Sequence, residues 1–91
     1  MKEVILFKLT HCPHCKLALK CQEELFAAHP EWRDIPLKVV DEAEKPALAN
    51  SYDYYYVPTY YVDGKKVHEG HAELEDVEKV FRLAAGEKTM A

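Results

Sequence analysis

The sequence reads as an α/β protein with the element order β-α-β-α-β-β-α: a four-stranded mixed sheet with helices on both faces. Three observations predict this. Val4-Ile5-Leu6-Phe7 is a continuous apolar run of β-forming residues, the pattern of a strand covered on both sides. Leu17, Ala18, Cys21, Leu25 and Ala28 then recur at helical spacing, so a helix follows the strand directly. Asp63-Gly64 stands between two strand-like runs and is a strong two-residue hairpin signal.

Each element has a local cause. Thr10 and His11 break the first strand, and Pro13 takes the first position of the first helix, where a missing N–H is no loss. Pro30 stops that helix and biases His29 away from helical geometry. Leu37, Val39 and Val40 form a second strand ending at Asp41, and a short helix over residues 44–51 carries Pro46 in its first turn. Val57-Pro58-Thr59-Tyr60-Tyr61-Val62 makes a third strand, with its proline at the start, where a ladder donor is least missed. Lys66-Val67-His68 makes a fourth, and Gly70 breaks it. Leu74, Val77, Val80, Phe81 and Ala84 form the apolar stripe of a last helix. Glu73, Glu75 and Asp76 crowd its first turn, as the helix dipole prefers, and Gly86 ends it. The first βαβ unit is expected to be parallel with a right-handed crossover, and the hairpin adds an antiparallel pair.

The chain has 91 residues, 48% hydrophobic and 31% charged, which is the balance of one globular domain over 1–91. Its net charge is −4, and its longest basic run is Lys65-Lys66, too little to grip nucleic acid. No apolar stretch approaches the ~18 residues of a membrane span, and the N-terminal run is too short for a secretion signal. A cytoplasmic, monomeric protein is expected. Cys12, Cys15 and Cys21 are an odd, sparse set, which argues against a disulfide-stapled scaffold.

Cys12-Pro13-His14-Cys15 is the strongest signal, because it opens a helix straight after a buried strand. Cys12 falls at the N-cap, where unpaired N–H groups and the dipole favour an anion, and the thiolate is the reactive form of cysteine. Cys15 lies one turn inside, more buried, and placed to attack a mixed disulfide at Cys12. The chemistry this spacing serves is thiol–disulfide exchange through the Cys12–Cys15 pair. The alternative is a metal or iron–sulfur module built on the same cysteines and shared across a dimer. Cys21 and the five histidines supply no second C-x-x-C or H-x-x-x-H for it, so no metal ligand is assigned.

With Cys12-Pro13-His14-Cys15, Val57-Pro58-Thr59 and Gly70 ahead of the last helix, essentially the whole chain resembles the thioredoxin-fold superfamily, and within it the glutaredoxin-like group. The resemblance implies a thioredoxin fold and a disulfide reductase with no bound cofactor. It implies a cis Pro58 facing Cys12, with Tyr56, Val57 and Pro58 pairing with an extended substrate, and Gly70–Ala72, including His71, flanking the site. Disulfide-containing proteins or small thiols are the implied substrates. Glutathione, as co-substrate, or a flavin-dependent reductase is the implied electron donor. The chain also departs from these groups. Pro13-His14 replaces the usual Pro-Tyr or Pro-Phe of glutaredoxins and is similar to the dipeptide of periplasmic disulfide oxidases, where a histidine further stabilises the thiolate. Leu9 stands where glutathione-using members place a lysine, His71 where they have a second glycine, and Glu73 where they have an aspartate. Leu6 stands where thioredoxins carry a buried aspartate.

The remaining features carry two readings each. Cys21 shares an apolar stripe with Leu17, Ala18 and Leu25, as a packed thiol or a third redox thiol. His11, beside Cys12, either tunes the thiolate or is a solvated loop residue. His29 and His68 read as surface residues. Tyr52, Tyr54, Tyr55 and Tyr56 either cover the sheet edge and second helix with hydroxyls in water, or line a groove for an extended segment or a small thiol.

Overall fold

Val4–Lys8 forms β1, and its residues Val4, Ile5, Leu6 and Phe7 are all buried because a neighbouring strand flanks each edge and helices cover each face. The computed structural model describes residues 1–86; positions 87–91 of the expected domain lie outside the described residues. The remaining elements are α1 (Pro13–Ala28), β2 (Leu37–Asp41), α2 (Pro46–Asn50), β3 (Thr59–Val62), β4 (Lys65–Glu69) and α3 (Leu74–Ala84). The strand order is β2-β1-β3-β4. β1 runs parallel to β2, with Val4 opposite Leu37 and Lys8 opposite Asp41, and antiparallel to β3, with Phe7 opposite Thr59. β3 and β4 are antiparallel and joined by Asp63 (φ 53°) and Gly64 (φ 79°). Two consecutive positive φ values are those of a type I′ turn, which matches the strand twist.

The alternation of side chains along β1 and β3 divides the core into two halves. Val4, Leu6, Tyr60 and Val62 face α1 and α3, where they meet Ala18, Leu25, Val77 and Phe81. Ile5, Phe7 and Tyr61 face the other side with Val40 and Ala49 of α2. The Tyr60 hydroxyl is buried and donates to Gln22 Oε1 of α1 at 2.5 Å, which satisfies both polar groups inside the first half.

Four details differ from the sequence expectation. Strand β3 begins at Thr59 rather than Val57, since Pro58 has no N–H to give to a ladder; the Val57–Pro58 bond is cis. A 3₁₀ turn, Pro30–Asp34, follows α1 and drives Trp32 to 1% exposure, a residue to which the pattern had assigned no place. The ring of His29 stacks on Trp32 at 4.0 Å, and His68 donates from Nε2 to the His71 carbonyl at 2.8 Å, so both histidines are half-buried and engaged rather than plain surface residues. Glu73 is the N-cap of α3 rather than part of its first turn.

Phe81 is fully buried, with ring centroids 5.1 Å from Phe26, 6.3 Å from Trp32 and 6.2 Å from Tyr60. Phe81→Ala leaves a cavity among these rings. The expected loss is about 3–5 kcal/mol, read as a lower urea midpoint at unchanged slope.

Candidate active site

The two cysteines are wired into the backbone at the junction of β1 and α1. Cys12 is the N-cap of α1 with extended φ and ψ, and its sulfur accepts from the Cys15 N–H at 3.3 Å. Cys15 Sγ in turn accepts from the Leu9 N–H at 3.5 Å. Cys12 is half-buried, whereas Cys15 is 1% exposed. Burial is the main cause that pushes the Cys15 thiol up to about 12, reinforced by its contact with Cys12 and offset in part by the Leu9 N–H. One sulfur is therefore open to a partner, and the second waits beneath it in protonated form.

On the β3 side, Cys12 Sγ lies 4.0 Å from the carbonyl oxygen of Val57, in the cis Val57–Pro58 segment. The Thr59 hydroxyl donates to the Tyr56 carbonyl, and the Gly70 N–H donates to the Pro58 carbonyl at 2.8 Å. Glu69 accepts from the backbone N–H groups of Tyr55 and Tyr56 and from Lys66 Nζ at 2.9 Å. Lys66 above all, with those two N–H groups, holds the Glu69 carboxyl down to about 2. The tyrosine cluster divides accordingly. Tyr52 and Tyr54 pack on Phe7 at 4.8 Å each, with the Tyr54 hydroxyl on Glu42 at 2.7 Å, while Tyr55 and Tyr56 are 85% and 69% exposed beside the cis bond.

On the β2 side a cleft of about 500 Å³ runs from Cys12 and His11 to Asp41 and Glu44. Asp41 is 7% exposed and accepts from the Thr10 hydroxyl at 2.6 Å, the Ala43 N–H at 2.9 Å and Lys8 Nζ at 3.4 Å. The Thr10 hydroxyl is the main cause that holds its carboxyl below the usual range. His11 is exposed at the cleft mouth. At the N-terminus of α3, His14 Nδ1 lies 2.8 Å from His71 Nδ1, and His71 Nε2 lies 2.7 Å from Glu73 Oε1.

A sequence profile described as "Thioredoxin domain" matches residues 2–82. The chain belongs to the thioredoxin-domain family. Among solved structures, this thioredoxin-domain protein is similar to mitochondrial thioredoxin 3 from Saccharomyces cerevisiae in its oxidized form, with 27% identity over 89% of this chain and 76% of that one, at TM-score 0.69. It shares its fold with thioredoxin 2 from Pseudomonas aeruginosa, with 23% identity over 96% and 82% of the two chains at TM-score 0.72. A malarial protein with 16% identity, covered over 92% and 97%, also has this fold at TM-score 0.71. No curated protein matches the sequence. Two of these three are thioredoxins, and none of the three carries the glutaredoxin-like character expected from the motifs.

The thioredoxin-domain fold brings Cys12, Cys15, Pro13 and His14 together with Tyr56, Val57, Pro58, Thr59, Gly70 and His71 around one end of the sheet. Cys21 sits apart, 5% exposed in the α1–α3 half of the core. The metal alternative finds no support: among the described residues no group of three or more His, Cys, Asp or Glu side chains is arranged to hold an ion. Among the described residues no helix is long and apolar enough to cross a membrane. Sequence reasoning missed Asp41 as a buried acid, Glu69 as the anchor of the tyrosine loop, and Glu73 as the partner of His71. Asp41 had a legible signal, a charge at the C-terminal end of a parallel strand, where α/β sheets place their sites.

Two outcomes follow from this geometry. Iodoacetamide at pH 8 should modify reduced protein once, at Cys12, with Cys15 and Cys21 at least about tenfold slower until the chain is unfolded, as peptide mapping would show. The Glu69 carboxyl is depressed from 4.5 to about 2, so its stabilising effect is present above pH 4.5 and lost as pH falls toward 2. The stability gap between the parent and Glu69→Gln should therefore close over that window in acid-titrated urea unfolding.

Proposed function

We propose that the chain is a thiol–disulfide oxidoreductase that works as a disulfide reductase. The observation that carries this reading is the stacking of an open sulfur over a buried one. Cys12 caps α1 beside the Val57 carbonyl, and Cys15 lies beneath it with a raised thiol. In the proposed cycle the Cys12 thiolate attacks one sulfur of a substrate disulfide. A Cys12–substrate bond forms, the substrate S–S bond breaks, and the departing sulfur takes the electron pair and then a proton. Cys15 next gives up its proton and attacks Cys12, forming the Cys12–Cys15 disulfide and releasing the second substrate thiol. Two electrons pass to the substrate, and an external donor, either two molecules of glutathione or a flavin-dependent reductase, restores the pair.

The order of steps has a physical basis. The hydrogen bond and charge of Cys12 are two of the causes that hold the Cys15 thiol up. Engaging Cys12 in a mixed disulfide removes its charge, so Cys15 ionises more readily at the stage when it must attack. The exposed Tyr55 and Tyr56 and the Tyr56–Thr59 segment support an extended disulfide-containing peptide as substrate, with small thiols as the smaller case. His71 and Glu73, in place of the glycine and aspartate of glutathione-using relatives, favour a protein dithiol donor over glutathione. The three-thiol composition supports a reducing compartment, the cytoplasm, and the cycle needs only one copy of the chain and neither nucleic acid nor membrane.

Cys12→Ser should abolish reduction of insulin disulfides, and Cys15→Ser should accumulate a mixed disulfide at Cys12, seen by mass as a substrate adduct. Retention of the parent rate by Cys12→Ser sinks the reading. Equilibration in glutathione buffers should place the Cys12–Cys15 couple at about −200 to −270 mV, whereas a value near −120 mV would reverse the direction to oxidation.

A further inference from the structure

The side chains of His14, His71 and Glu73 form one continuous hydrogen-bonded line from the redox helix to the cap of α3, with spacings of 2.8 and 2.7 Å. Every end of this line is fixed. His14 is the second residue of α1, directly after Pro13. The His71 carbonyl accepts from His68 Nε2 at 2.8 Å, and the preceding Gly70 N–H is bonded to the Pro58 carbonyl at 2.8 Å. The Glu73 N–H donates to the Asp76 carboxylate at 2.9 Å in the capping of α3.

Hydrogen inventory assigns the direction of the line. An ionised carboxylate only accepts, so His71 Nε2 carries a hydrogen toward Glu73. In a neutral His71 ring Nδ1 is then an acceptor, so the hydrogen in the 2.8 Å contact belongs to His14 Nδ1. The second nitrogen of His14, Nε2, is left with its lone pair. A carboxylate that orders one imidazole thus orders a second through it, and the second lies between the two cysteines in the chain.

We propose that His71 and Glu73 are positioning residues for His14: they hold its ring with Nε2 as the basic nitrogen at the redox site, and so speed disulfide exchange at Cys12. The inference rests on the redox reading above. His14 Nε2 accepts the proton of the Cys12 thiol in a prior step, and the thiolate so formed then attacks the substrate disulfide. The substrate sulfur that leaves with the pair of the broken S–S bond then takes that proton back. While His14 holds the proton, its Nδ1–H faces His71, and His71 Nε2–H faces the Glu73 carboxylate, so the positive charge has an anion at the end of the line.

The test combines ring-nitrogen NMR with exchange kinetics. In reduced protein at mildly alkaline pH, long-range ¹⁵N spectra should show His14 in the Nδ1–H form and His71 in the Nε2–H form, and His71→Ala should release His14 from that form. Reaction of Cys12 with 5,5′-dithiobis(2-nitrobenzoate) should slow roughly three- to tenfold in His71→Ala, and this slowing should vanish in a His14→Ala background. Glu73→Gln, which keeps an acceptor oxygen at the helix cap, should show a smaller slowing with the same dependence on His14. Unchanged rates in His71→Ala, equal slowing with and without His14, or His14 in the Nε2–H form would each overturn the proposal. Parent protein that shows the ring signature yet exchanges no disulfide would instead overturn the redox reading on which it rests.

Discussion

The capping of α1 by the Cys12 sulfur is the constraint on which the rest of the site depends. A helix start leaves N–H groups without intrahelical partners, and here a sulfur takes one of them. That bond places Cys12 at the surface end of α1 and Cys15 one turn below it. Leu9 closes the arrangement from the strand side by donating to Cys15. The positions of the open and the buried sulfur are therefore set by backbone hydrogen bonding rather than by side-chain packing alone. The central strand makes this possible: β1 is covered on both faces and flanked on both edges, so its C-terminal end is a rigid point from which the loop to Cys12 departs.

Because β1 is central, the loop after it has two different neighbours. The β3 side offers backbone: the Val57 carbonyl, the cis peptide bond, and two exposed tyrosines held by Glu69. The β2 side offers a buried acid, Asp41, at the floor of a cleft. The proposed substrate chain would use the first kind of surface, since an extended peptide pairs with backbone groups and places side chains against aromatic rings. Charge is kept at the margins. Lys66 with two backbone N–H groups holds Glu69 ionised, and the Thr10 hydroxyl, with the Ala43 N–H and Lys8, does the same for Asp41, so both acids are already partnered.

The cysteine pair, Pro13 at the helix start and the hairpin at Asp63-Gly64 were legible because each is a local rule. A proline at the first helical turn, a polar cap and a pair of residues tolerant of positive φ act within a few residues of chain. The two-faced burial of β1 was legible from its unbroken apolar run. Trp32 was not, because its burial depends on a 3₁₀ turn that presents it to Phe81 and Arg82 of α3, far along the chain. The four tyrosines shared one composition and separated only when Tyr52 and Tyr54 met Phe7.

The sequence by itself determined the order of elements, the family-defining motifs and the position of the cysteine pair at the start of α1, since these follow from periodicity and from residue chemistry at short spacing. Only the tertiary structure decided which distant polar groups act on that pair. His14 and His71 are 57 positions apart, and Thr10 and Asp41 are 31 apart. No local pattern links such residues. They meet because strand order β2-β1-β3-β4 brings one loop after each of several elements to the same end of the sheet.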